Sequence, residues 1–135
     1  MTSAAEPAGV VQLPCKRSVA ATINRLQELL NQRQVLVFAH IDFSGDAERA
    51  GLAMRPEQML IFGNPKGGTP LMQAVPLAGL DLPMKVLVWE APDGAVWAAY
   101  NDPTYLQRRY GLSASLVANL AALIPLIKSA VGDPA

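Results

Sequence analysis

The stretch MKVLVWEAPDGAVWAAYN, residues 84–101, constrains this chain more than any other. Two runs rich in β-branched and aromatic residues flank APDG, where an early proline and a late Asp-Gly pair make a hairpin signal. Strands joined that tightly run antiparallel, so the rest of the chain has to extend an antiparallel sheet. Three more segments do so. VVQLPCKR (10–17) reads as an edge strand, because Pro14 has no N–H to give a neighbour. VLVFAHI (35–41) is apolar on both faces and is expected inside the sheet, and EQMLIFG (57–63) is a further strand.

Helical signals fill the gaps. Ser18 is a good N-cap for a helix over 18–33, in which Val19, Ile23, Leu26, Leu29 and Leu30 recur at helical spacing. DFSGDAERAGLAM holds a short helical turn that Gly51 closes. Thr69 is expected to cap a short helix over 69–75, with Pro70 in its first turn and Pro76 ending it. Asp102 caps a helix in DPTYLQRRYG, and Ser113 opens a broadly apolar helix that reaches about Val131 with a kink at Pro125. The order β-α-β-β-β-β-α predicts an α+β sandwich: a mostly antiparallel sheet with two long helices on one face. Residues 1–8 are expected to be a flexible leader, 9–131 a single domain and 132–135 a tail.

Charge and composition narrow the function classes. Eleven basic residues balance eleven acidic ones, which argues against a nucleic-acid partner. With 51% hydrophobic residues and no net charge, some apolar surface is expected to lie under a second copy, so a homodimer is predicted. Cys15 is the only cysteine and His40 the only histidine. Neither a disulfide nor a cysteine zinc cluster can form within the chain, and no metal or cofactor is expected. MTSAAEPAG lacks the basic and apolar regions of a signal peptide. The longest apolar run, LVANLAALIPLI (116–127), is shorter than a bilayer span. The expectation is a cytoplasmic protein without a membrane partner.

The segment IFGNPKGGTPLM (61–72) resembles a phosphate loop but departs from one. Gly63, Gly68 and Thr69 have the right spacing, yet no lysine follows Gly68, and Lys66 lies inside the loop instead. Pro70 also removes a helix-start donor. This is not a nucleotide-hydrolase loop. A Gly-Gly segment with exposed N–H groups, a lysine and a helix start at Thr69 would still favour an anion modestly, and a plain turn with glycines at positive φ is the alternative.

Several other residues bear chemistry. His40 and Asp42 lie two apart on a strand, on the face of Leu36 and Phe38, and Asp42 is placed to cap the turn at 43–46. Tyr100 and Asn101 end a strand just before the Asp102 cap. Asp81, within an apolar segment, needs a partner: Lys85 or a backbone donor in the glycine loop. Met54, Met59, Met72 and Met84 read as core filler, with a Met-lined pocket as the sharper alternative. Trp89 and Trp97 are expected to face each other or a dimer mate. Lys16 and Arg17 beside Cys15 would lower its pKa slightly if it were exposed.

The motifs RPEQMLIFGNPKGGTPLM, LDLPMKVLVWE and YNDPTYLQRRYGL occur in that order within residues 50–112. They resemble the DUF302 family of small bacterial and archaeal proteins, and the similarity extends more loosely back to residue 9. The resemblance implies a TBP-like α+β fold, a homodimer and no established activity. The family commonly carries an aspartate-histidine pair after the second strand. Here Asp42 is present and Phe43 stands in the histidine position, so any role of that histidine is lost unless His40 substitutes. The terminal helix is also longer and more apolar than the family implies.

Three readings follow. The first is a homodimeric binding module for a small, partly apolar or anionic ligand. Its site would combine Asn64, Lys66, Gly67, Gly68, Thr69 and Met72 of the 63–73 segment with His40, Asp42, Tyr100 and Asn101. The second is an enzyme using Asp42, His40 and Lys66, against which the sparse titratable residues weigh. The third is a structural or interaction protein without a pocket.

Overall fold

The computed structural model describes residues 6–132. Residues 1–5 of the expected leader and 133–135 of the expected tail lie outside that range. Glu6 and Pro7, which fall within the expected leader, already bond to the start of the sheet. The Glu6 carboxylate accepts the Gln12 N–H at 2.8 Å, and the Val10 N–H bonds to the Pro7 carbonyl at 3.1 Å.

Five strands form one sheet: β1 (Val10–Cys15), β2 (Leu36–Asp42), β3 (Glu57–Gly63), β4 (Met84–Glu90) and β5 (Val96–Asn101). Their order is β1-β5-β4-β3-β2, and every neighbouring pair is antiparallel. The hairpin signal forms as expected. Gly94 takes a left-handed φ of 86°, the Ala91 N–H closes on the Ala95 carbonyl at 2.7 Å, and Trp89 pairs with Trp97.

Six helices complete the described chain: α1 (Val19–Gln32), α2 (Phe43–Arg49), α3 (Pro65–Ala74), α4 (Pro103–Tyr110), α5 (Ala114–Ala121) and α6 (Ile124–Val131). A 3₁₀ turn spans Pro76–Asp81. Helix α1 is the expected one: Ser18 Oγ accepts the Ala21 N–H, and the apolar stripe buries Val19, Ile23, Leu26 and Leu30. It packs beside α6, which buries Leu126, Ile127, Ala130 and Val131. Helix α1 meets the sheet face carrying Leu60, Phe62, Val86, Val88 and Ala98, all fully buried, and α6 reaches the sheet at β1. Arg17 locks the junction by donating to the Ala130 and Gly132 carbonyls at 2.7 and 3.1 Å, which satisfies the C-terminal end of α6.

Burial alternates along β4. Met84, Val86 and Val88 are buried, whereas Lys85, Leu87 and Trp89 are half-buried. By register, Met59, Ile61, Trp97 and Ala99 lie on the same half-open face as Leu87 and Trp89. The helices therefore cover one side of the sheet and leave an apolar side open.

Three expectations need correction. Strand β2 is at the edge of the sheet, not inside it. A bulge between Val37 and Ala39 breaks its alternation, so Leu36 lies opposite Gly63 while His40 lies opposite Leu60 on the helix side. Leu36 and Phe38 stay half exposed, and Phe38 lines the mouth of a cleft described below rather than a sheet interior.

The second correction concerns α3, which starts at Pro65 rather than Thr69. Asn64 is its N-cap and Pro65 its first residue, a pairing that outweighs the two glycines as a local signal. Pro70 then falls inside the helix and withdraws a donor from the Lys66 carbonyl, tolerable because Lys66 is exposed.

Third, the apolar segment after Ser113 is two helices, α5 and α6, broken around Ala122–Leu123, with Pro125 in the first turn of α6. Ala114–Val131 has a mean hydropathy of 1.7 over 18 residues, long and apolar enough by length and composition to cross a membrane, unlike 116–127 alone. A third of it is buried in this fold, most of that in α6 against α1.

Candidate functional site

The chain leaves β3 at Gly63, is capped by Asn64 and turns directly into α3, which lies across α5. Gly67 permits that approach. A Cβ built there would stand 3.0 Å from the Asn119 Cβ, closer than ordinary packing allows. Beside this crossing opens a cleft of about 300 Å³. Helix α3 contributes Pro65, Gly67, Gly68, Thr69 and Met72, and Asn119, Leu120 and Leu123 face them from α5 and its end. Gly63, Asn64, Leu82, Pro83, Met84 and Phe38 complete the lining. Met84 and Leu120 are buried, at 3% and 5% exposure, whereas Phe38 (52%) and Met72 (39%) are open to solvent at the mouth.

The start of α3 is not the anion cradle that the glycines suggested. Pro65 has no N–H, and the Lys66 N–H is taken by Asn64 Oδ1 at 3.0 Å. The Gly67 and Gly68 N–H groups both close on the Asn64 carbonyl at 2.9 Å. No donor of the first turn is left for a ligand. The side chain of Lys66 is exposed and does not line the cleft. Thr69 lies inside the helix and caps nothing, and neither Gly67 nor Gly68 has a positive φ.

Five of the ten candidate residues come together in the cleft: Asn64, Gly67, Gly68, Thr69 and Met72. The others lie elsewhere. Asp42 pairs with Gln58, at the far end of β3 from Gly63. Five residues of strand, about 17 Å, separate the two ends. Asp42 instead caps α2, accepting the Gly45 N–H at 3.0 Å and the Ser44 hydroxyl at 2.8 Å. These bonds hold its carboxyl below the usual range, the Gly45 N–H contributing most. His40 Nε2 shares a 2.7 Å hydrogen bond with Gln58 Oε1. Asp42, His40 and Lys66 therefore do not assemble into one site.

Tyr100 is buried in the core, which pushes its phenol pKa up. Asn101 pairs with Val10 across β1, and neither residue reaches the cleft. Asp81 finds Arg109, at 2.9 Å, and the Tyr110 hydroxyl, not Lys85, which donates to the Pro83 carbonyl at 3.2 Å. The Asp81 bond holds the Tyr110 proton and raises its pKa. Cys15 is half-buried, so the condition for a lowering by its basic neighbours is not met, and burial pushes its thiol up to about 11. Among the described residues no three His, Cys, Asp or Glu side chains are placed to hold a metal ion.

Sequence reasoning missed Phe38, Leu82, Pro83, Met84, Asn119, Leu120 and Leu123 as site residues. One faint signal existed: Asn119 is the sole polar residue in the apolar run 116–127. The two glycines should separate in stability. Gly67→Ala is expected to destabilise by ~1–3 kcal/mol through overpacking on Asn119. Gly68→Ala, whose Cβ meets nothing within 4 Å, should stabilise by ~0.5–1 kcal/mol through helix propensity. Urea denaturation of both variants checks this, and equal losses would show that α3 does not approach α5 as described.

Comparison with known proteins bears on the whole chain. A crystal structure of an uncharacterized conserved protein DUF302 from Bacillus stearothermophilus shares the fold, with a TM-score of 0.73, at 21% identity over 93% of this chain and 97% of that one. Two proteins named fluoride-specific ion channel FluC 1 are each 38% identical over 129 residues, one from Brucella suis biovar 1 (strain 1330) and one from Brucella abortus biovar 1 (strain 9-941). The match covers 93% of this chain but 51% and 48% of theirs, so the chain spans about half the length of these curated relatives. The family model described as "Domain of unknown function DUF302" matches residues 11–130. With nearly the whole described fold inside that match, the chain belongs to the DUF302 family.

Proposed function

We propose that this domain is a binding module that takes a small, mainly apolar molecule into the cleft between α3 and α5. The cleft itself carries the reading. Its volume of about 300 Å³ is at the lower end of the usual range for ligand sites, and its walls are mostly apolar with a few polar groups. The occupied first-turn donors and the outlying Lys66 favour an apolar occupant over an anion. Toluene or 1-hexanol should raise the melting temperature of the parent protein. Gly68→Leu, which projects a side chain from an open Cβ position in the lining, should abolish the shift while melting near the parent. Equal shifts in both proteins would place binding elsewhere, and no shift in the parent would sink the reading.

The module is proposed to work as a homodimer through the half-open sheet face. Trp89, Trp97, Leu87 and Ile61 together make an apolar surface that a second copy would cover. Light scattering at micromolar concentration should return twice the 14.4 kDa chain mass. A value near 14.4 kDa would contradict it.

A second reading comes from chain length. Because this chain corresponds to about half of proteins named fluoride-specific ion channels, we infer that such a domain acts beside a fluoride-conducting partner. Fluoride flux through the Brucella suis relative in vesicles should change when its matching 129-residue segment is removed, and this chain added separately should restore it. Flux indifferent to both manipulations would rule the reading out.

A further inference from the structure

The polar chemistry of the cleft narrows what it can hold, and the inference below rests on the cleft being a ligand site. None of its fourteen lining residues carries a charge. The Asn64 side-chain oxygen is committed to the Lys66 N–H. That leaves the Thr69 hydroxyl and the Asn119 amide, neither of which has a hydrogen-bond partner among the described residues. Asn119 is exposed like Thr69, and the close helix crossing sets its Cβ against Gly67, beside the cleft. A hydroxyl and a primary amide each both donate and accept.

We propose that the cleft selects an uncharged amphiphile: an apolar body seated on Met84 and Leu120, with a neutral head, such as an alcohol or amide, bonded to Thr69 and Asn119. A carboxylate entering the same place would give up part of its hydration and find no cation in the walls to offset that. An ammonium would meet no carboxylate there. The head is read by hydrogen bonds, and a charge finds no counter-ion in the walls.

Calorimetric titration of the full chain with four six-carbon probes tests this. Hexanamide and 1-hexanol should bind about tenfold or more tighter than hexanoate and hexylammonium at pH 7. Thr69→Val and Asn119→Ala should each weaken hexanamide and 1-hexanol by about three- to tenfold and leave toluene within about twofold. Thr69 is exposed, so its variant keeps the test decisive should Asn119→Ala loosen the α3–α5 crossing. Hexanoate or hexylammonium binding as tightly as hexanamide, or head-group preference unmoved by Thr69→Val, would overturn the assignment while toluene binding still supported the cleft. Failure of toluene and all four probes to bind would remove the cleft reading and this inference together.

Discussion

Packing of α1 and α6 against one face of the sheet is the contact on which the rest of the molecule depends. Ile23, Leu26 and Leu30 of α1 close over Leu60, Phe62, Val86 and Val88 with almost no exposure, while α6 buries Ile127 beside α1 and reaches the sheet at β1. Removing any one of these large side chains would cost ~2–5 kcal/mol, a large part of the stability of a domain this size. Because both helices lie on the same side, the opposite face is left as a half-open apolar surface. Because both are spent there, the end of the sheet near Gly63 is closed by α3, α4 and α5 instead. The cleft is a product of that arrangement, a gap where shorter helices meet the strand ends.

Much of this was legible in the residues. The APDG hairpin, the Ser18 cap with its apolar stripe, and the Asp102 cap all read correctly, because each depends on chemistry within a few neighbouring residues. Strand β2 misled because apolar residues on both faces usually mean an interior strand. Leu36 and Phe38 are apolar for another reason: Phe38 meets the cleft, and Leu36 sits beside it across from Gly63. The Gly-Gly pair misled in a similar way. Glycine suggests a turn when read locally, yet Gly67 is required here by Asn119, more than fifty residues away. No periodicity or cap carries a constraint of that range.

The same distinction explains the candidate site. Asn64, Gly67, Gly68, Thr69 and Met72 are contiguous in sequence and stay together in space. His40, Asp42, Tyr100 and Asn101 were grouped with them by residue type alone, and the antiparallel register carries them to other places on the sheet. Asp42 and Asp102 are helix caps, and Asp81 is held by Arg109 and Tyr110. These acidic groups serve the fold, which leaves the cleft without charge. Its chemistry is then that of apolar burial with two neutral polar groups. That chemistry suits recognition better than acid-base catalysis, which needs a group able to move a proton near neutral pH.

Ligand binding is proposed for the cleft between α3 and α5. Methyl NMR of the methionines under toluene titration tests it most directly, because Met72 and Met84 line the cleft whereas Met54 and Met59 do not. A ligand in the cleft should give saturable shifts of the Met72 and Met84 methyls, with Met54 and Met59 unmoved. Shifts led by Met59, on the open sheet face, or no saturable shift at Met72 and Met84, would contradict it.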